Sequence, residues 1–177
     1  SYEFVDEIPK DAKRIPSGMD FGLSPDPTTL VDLYVKDQYL YCDEVFTENN
    51  LMPQKIQGAE RLAIVDKMEM VGFPKGWTIF ADSASAVSIR DLRNHGYNVY
   101  GVEKGKNSVI EGIKAVKSYE LRVTKRSAGI KAGIESWFFK VDDNGKIVPE
   151  PDGHEPDQLA AIRYAVMMYK RKKNFVV

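Results

Sequence analysis

Cysteine and histidine are almost absent: one cysteine, Cys42, and two histidines, His95 and His154, occur in 177 residues. A lone cysteine excludes an internal disulfide and the cysteine-rich zinc sites, and makes a reducing compartment the default. Any metal held here has to be a hard one bound through carboxylates. No apolar run approaches the ~20 residues that span a bilayer. The opening, Ser1-Tyr2-Glu3-Phe4-Val5-Asp6-Glu7, is acidic and unlike a signal peptide. A surplus of either charge is also lacking. With 25 Lys and Arg against 26 Asp and Glu, the net charge is -1, so local patches decide any contact with nucleic acid. Basic residues group at Lys104 and Lys106, at Lys114 and Lys117, at Arg122, Lys125, Arg126 and Lys131, and at Lys170-Arg171-Lys172-Lys173. Each group taken singly reads as a solvated face rather than a binding site. What is present is core-forming material, 43% hydrophobic with 29% charged, which fits one globular domain.

One carboxylate stands inside a short apolar run, Ser17-Gly18-Met19-Asp20-Phe21-Gly22. Desolvating an ionised Asp costs several kcal/mol unless a cation or strong hydrogen bonds compensate. Glycines on either side remove side chains where something must approach the backbone, which suits a metal or a phosphate. A structural hydrogen-bonding role at a strand end explains Asp20 equally well.

Along the chain, residues 1–16 carry Pro9, Pro16 and mixed charge and are expected to be a linker. A first strand is expected over Ser17–Leu23, a turn at Ser24-Pro25-Asp26-Pro27, and antiparallel strands over Thr28–Val35 and Tyr39–Phe46. Ile56, Ala59, Ala63 and Met70 recur at helical spacing, so the pattern predicts a helix from about Pro53 to Val71. Trp77–Ala81 has no polar alternation and is expected to be a central strand. A helix capped by Ser83 or Ser85 follows, reaching about Asn94. Asn98–Val102 is a strand, Ser108–Lys117 a helix with a capping box at Ser108 and Glu111, and Leu121–Thr124 a strand. A weaker helix is expected over Ser127–Glu135. Trp137–Val141 and Lys146–Val148 flank Asp142-Asp143-Asn144-Gly145, a hairpin signal, although Trp137, Phe138 and Phe139 equally suit a core. Asp157 to about Lys170 is the closing helix. Antiparallel strands followed by alternating strands and helices predict an α/β fold, a mixed sheet with helices on both faces.

If the strands ending in Asp20 and Asp82 are neighbours, two carboxylates meet at one edge of the sheet. They repel unless a divalent cation lies between them. Mg²⁺ or Mn²⁺ pairs in such sites activate water and stabilise the leaving oxygen of a phosphodiester. Asp82 has an alternative role as an N-cap or turn residue ahead of Ala84.

Five segments occur in order: Gly18-Met19-Asp20-Phe21-Gly22 with Asp26-Pro27-Thr28; Ala81-Asp82-Ser83-Ala84; Ser88-Ile89-Arg90-Asp91-Leu92-Arg93; Lys104-Gly105-Lys106-Asn107-Ser108-Val109-Ile110-Glu111-Gly112-Ile113; and Ala161-Ile162-Arg163-Tyr164-Ala165. Together they resemble the C-terminal nuclease domain of the tailed-phage terminase large subunit, from about Ile8 onward. The resemblance implies a ribonuclease H-like fold with an extra β-hairpin, here Trp137–Val148. It further implies a metal-dependent endonuclease, using Mg²⁺ or Mn²⁺ with two ions during catalysis, that cuts concatemeric double-stranded viral DNA. On this resemblance residues 1–16 are a linker from a missing ATPase domain, and 17–177 are the nuclease domain. No Gly-x-x-x-x-Gly-Lys-Ser/Thr occurs. Implied partners are double-stranded DNA, the ATPase domain of the full-length chain, the small terminase subunit and the portal protein. The implied location is the host cytoplasm, transiently at the procapsid portal and not in the mature virion.

By the same resemblance Asp20 and Asp82 match the first two metal-binding acids, catalytic and metal-holding alike. In the third motif Asp157 takes the first position, and Ala160 stands where the principal acid is expected. Either Asp157 supplies the carboxylate, three residues away on the same helix face, or the third ligand is lost. Lys104 and Lys106, with Lys125 and Arg126, are the expected DNA-phosphate contacts. Two rivals remain. A sugar-kinase or actin-like half also opens on Gly-apolar-Asp-apolar-Gly, but 177 residues cannot hold both halves that such a protein needs. A catalytically inactive DNA-binding or docking module is the other.

Overall fold

The computed structural model describes residues 1–22, 25–103, 105–147 and 153–175. Seven strands form one sheet: β1 (Tyr2–Val5), β2 (Lys13–Asp20), β3 (Thr28–Lys36), β4 (Tyr39–Glu48), β5 (Thr78–Asp82), β6 (Asn98–Val102) and β7 (Glu120–Thr124). Their spatial order is β1-β7-β4-β3-β2-β5-β6. β3 pairs antiparallel with both β2 and β4, and every other pairing is parallel. All strands except β3 therefore end along the same rim, the side on which α/β sheets gather their ligands.

Helices cover both faces. On one lie α1 (Ile64–Met70) and α2 (Ala86–Asn94), whose Ile64, Met68 and Leu92 pack on Met19, Leu30, Ile79 and Val99. On the other lie α3 (Ser108–Lys117), α4 (Ala128–Gly133) with a π-helical turn at Ile134–Phe138, and α5 (Asp157–Phe175). Ile113, Ile130, Leu159, Ile162 and Val166 from that layer meet Ile15, Val31, Leu33, Cys42 and Val123. α5 is buried without a break from Leu159 to Met167, a stretch whose one charged residue, Arg163, is paired with Glu155.

β3 to β7, α2 and α3 stand within a residue or two of where the sequence predicts them. Three segments differ. Residues 1–16, expected as a linker, contribute β1, which pairs with β7, and the first half of β2. Pro16 does not break β2, because it falls where the β2–β3 register shifts between Ile15 and Gly18, a bulge that needs no donor from proline. The expected helix from Pro53 is helical only over Ile64–Met70. Met52 bonds the Leu62 carbonyl (2.8 Å) and accepts from Ile64 (3.0 Å), so residues 53–63 form a loop, and Ile56 is 54% exposed. The expected hairpin narrows to a turn at Asp142–Gly145 closed by one bridge between Val141 and Ile147. Its leading arm is drawn inward instead: Trp137 and Phe138 are buried in the π-helical turn. Val148, the far end of that hairpin, lies outside the described residues.

Candidate active site

β2 and β5 are parallel neighbours with Met19 opposite Ala81. Asp20 and Asp82, each the last residue of its strand, therefore stand side by side at the rim. Met19 and Ala81 belong to the α1–α2 layer, so alternation turns the two carboxylates toward α5.

α5 crosses that face in close contact. Gly18, on the same side of β2 as Asp20, makes the crossing possible, since a Cβ there would lie 1.8 Å from the Ala161 carbonyl oxygen. Gly22 similarly makes room for the Pro27 carbonyl, 2.1 Å from where its Cβ would be. What approaches the two glycines is the protein's own backbone, not the phosphate or metal that their sequence context suggested. The crossing carries Asp157, at the start of α5, to Asp20.

The consequence is electrostatic. Burial, the charge of Asp157 and a hydrogen bond with it, and then the charges of Asp82 and Glu155 push Asp20 up to about 8. Two carboxylates can hydrogen-bond only through a proton, and the raised value of Asp20 makes it the donor to Asp157 near neutrality. Asp82 also accepts the Ala84 N–H at 2.9 Å, so its turn role and its place in the cluster coexist. Burial and the charges of Asp20 and Asp82 raise the Tyr164 phenol.

Sequence reasoning missed Glu155 and Arg163. Arg163 donates from Nε and Nη2 to the Glu155 carboxylate at 2.9 and 2.7 Å, and its side chain is 4% exposed. Its stem lies over Gly112, where a Cβ would come within 2.1 Å of Cγ. The signal was available: an arginine inside Leu159–Met167, an otherwise apolar run, demands a carboxylate partner.

Ala160 is 5% exposed and packs with Phe80, Val102, Tyr164 and Met167, one turn beyond Asp157 and beside the acidic cluster. His154 approaches Asp157 at 3.9 Å but is largely solvated. Phe21, Gly22, Asp26, Pro27, His154 and Asp157 line a cleft of about 550 Å³.

Lys106 is exposed in the turn after β6, at the same rim as Asp82; Lys104 lies outside the described residues. Lys125 and Arg126 follow β7 at that rim too, but each is engaged, Lys125 with Asp6 at 3.0 Å and Arg126 with Asp43 at 2.8 Å.

Among the described residues no three His, Cys, Asp or Glu side chains form a ready-made metal cage. The donor chemistry nevertheless fits a hard divalent cation. Asp20, Asp82 and Asp157 offer only oxygen, and the buried cation Arg163 is committed to Glu155.

No protein-family model matches the chain. Over 158 residues it is 27% identical to the PBSX phage terminase large subunit of Bacillus subtilis (strain 168), a match covering 87% of this chain and 34% of that protein. It is 26% identical over 156 residues to the terminase large subunit of Bacillus phage SPP1, covering 86% and 35%. The chain thus spans about a third of the length of these curated relatives. Among solved structures, the large-terminase nuclease domain of bacteriophage SPP1 with bound Mn superposes with a TM-score of 0.71 at 22% identity, covering 97% of this chain and 96% of that one. The P22 large-terminase nuclease domain gives 0.61 at 14% identity, covering 96% and 87%. Phage terminase large subunits are homologues of this chain, and it has the ribonuclease H-like fold of their nuclease domains.

Proposed function

We propose that this chain is a metal-dependent DNA endonuclease unit of a viral genome-packaging motor, cutting concatemeric double-stranded DNA by phosphodiester hydrolysis. The observation that carries this reading is the meeting of Asp20, Asp82 and Asp157 at the strand-end rim, where burial and the neighbouring carboxylates push Asp20 up to about 8. The SPP1 nuclease domain was solved with bound Mn, which supports Mn²⁺ or Mg²⁺ as the ion; two ions during hydrolysis are our proposal. Such an ion would be held by Asp20, Asp82 and Asp157, and supplies a Lewis acid at the phosphoryl oxygens and an acidified water. The protein's own part is to hold the three carboxylates in one place and to position the duplex. Arg163 holds Glu155 and so fixes the segment that enters α5. Lys104 and Lys106 are proposed phosphate contacts, and Lys125 and Arg126 become so on exchanging their carboxylate partners for phosphate. Because the relatives are about three times as long, we assign to a longer polypeptide an ATPase domain, and to the assembled motor a small terminase subunit and a portal, in the host cytoplasm.

Ala160 favours a second reading, an inactive DNA-binding or docking module, because alanine at that position leaves Asp157 as the sole carboxylate of its motif. Calorimetric titration with Mn²⁺ and a plasmid-nicking assay on the parent, Asp20→Asn and Ala160→Asp separate the two. Mn²⁺ binding and nicking that vanish in Asp20→Asn support the nuclease. Neither binding nor nicking, even in Ala160→Asp, supports the module.

A further inference from the structure

Next to the acidic cluster the sheet ends in β6, whose outer edge has no strand partner among the described residues. α2 runs beside that edge, and Ser83, Ile89, Arg90, Arg93 and Gly101 help to line a groove of about 390 Å³ between them. Gly101 sets its floor. A Cβ there would lie 2.9 Å from the Ser83 Cα, so the turn following Asp82 rests directly on the strand. The groove therefore begins one residue from Asp82 and leads away along α2.

Two cations lie over rings that this edge turns to the α5 side. The Arg93 guanidinium lies 5.1 Å over the ring of Tyr100, which is 39% exposed. The Lys172 ammonium lies 5.1 Å over Phe80, the β5 residue paired with Tyr100 and turned to the same face. Arg14, Arg126, Arg163 and Arg171 are each tied to a carboxylate. Arg90, Arg93 and Lys172 form no ion pair among the described residues. Unpaired cations around a groove that opens onto a phosphodiester-cleaving cluster select a polyanion.

We propose that the α2–β6 groove seats the sugar–phosphate backbone of duplex DNA, holding the strand that flanks the phosphodiester presented to Asp20 and Asp82. The proposal rests on the nuclease reading. Arg90 and Arg93 are one turn apart, about 4.5 Å along the helix axis. A single DNA strand carries a charge every ~3.4 Å of its axis, so two cations one helical turn apart can serve phosphates of the same strand. A peptide strand adding to β6 is the competing occupant, but it would call for pockets for alternate side chains, where the groove offers cations.

The test is fluorescence anisotropy with a short duplex, Ca²⁺ replacing Mn²⁺ to permit binding without cutting, over a series of KCl concentrations. Each phosphate contact contributes about 0.9 to the slope of log affinity against log salt. Arg90→Gln with Arg93→Gln is expected to lower that slope by about 1 to 2, and to weaken binding about tenfold or more at moderate salt. Arg90→Lys with Arg93→Lys is expected to keep the slope, which separates charge from packing. Lys10→Gln, at an exposed site ahead of β2 and away from this rim, is expected to change neither. An unchanged slope in the double glutamine variant, or an equal loss in Lys10→Gln, overturns the groove assignment and leaves the nuclease reading standing. A parent that neither binds duplex in this assay nor nicks plasmid with Mn²⁺ overturns both.

Discussion

Asp20 is an acid held by a fold that favours its protonated form. Its folded-state value of about 8 lies above the ordinary 3.8, so the native protein binds that proton more tightly than the unfolded chain does. The resulting stabilisation is full below about pH 4 and is lost as pH climbs through 8. Asp20→Asn keeps the shape and removes the ionisation. Without metal it is expected to melt a few degrees above the parent, with the gap widening between pH 5 and pH 8.5 in thermal scans. A gap that is flat or reversed would make this carboxylate an ordinary structural one. Ala160→Asp is the converse case. A carboxylate placed against Phe80, Val102 and Met167 is expected to destabilise the metal-free protein by about 1–3 kcal/mol, measured by urea unfolding, and to tighten Mn²⁺ binding in calorimetry. Loss of stability with no gain in Mn²⁺ affinity would place that side chain outside the cluster.

At the scale of elements, the contact of α5 with β2 decides the site. Gly18→Ala forces a methyl group against the Ala161 carbonyl and is expected to cost about 3 kcal/mol, with Mn²⁺ affinity falling alongside; equilibrium unfolding and calorimetry read the two. Glu155→Ala strands Arg163 in the interior, a loss of about 3–5 kcal/mol in the same unfolding assay. A cost below 1 kcal/mol would mean that the pair is solvated in solution. The sequence made the strands bearing Asp20 and Asp82 legible, because short apolar runs bounded by glycine and proline are local signals. It did not reveal β1, whose partner β7 lies over a hundred residues downstream, nor the true start of β2, where Pro16 masqueraded as a breaker. The helix expected from Pro53 failed because the spacing read from Ile56, Ala59, Ala63 and Met70 is not its buried face: Ile56 and Met70 are exposed, and Ile64, Val65 and Met68 pack inward. Glu155 was missed for a different reason: it gains its role from Arg163, two turns into α5, a pairing set by tertiary packing.

For the molecule as a whole, the parallel course of most strands puts Asp20, Asp82, Lys106, Lys125 and Arg126 at one rim. A near-neutral chain can thus present charge of both signs along one rim, as the proposed nuclease requires. Binding of Mn²⁺ to the native state alone stabilises it by mass action. The melting temperature is therefore expected to rise steadily with the logarithm of Mn²⁺ concentration in the parent and to stay level in Asp82→Asn, by differential scanning fluorimetry. Equal slopes in both would remove Asp82 from the ion's neighbourhood. The meeting of helix and strand at Gly18 reaches furthest. Main chain lies on main chain there, so no rotamer intervenes between the two halves of the acidic cluster. The spacing of Asp20 from Asp157 is then indifferent to side-chain turnover across most of the sheet, and one hydrogen atom in place of a methyl group holds the register of the acidic cluster.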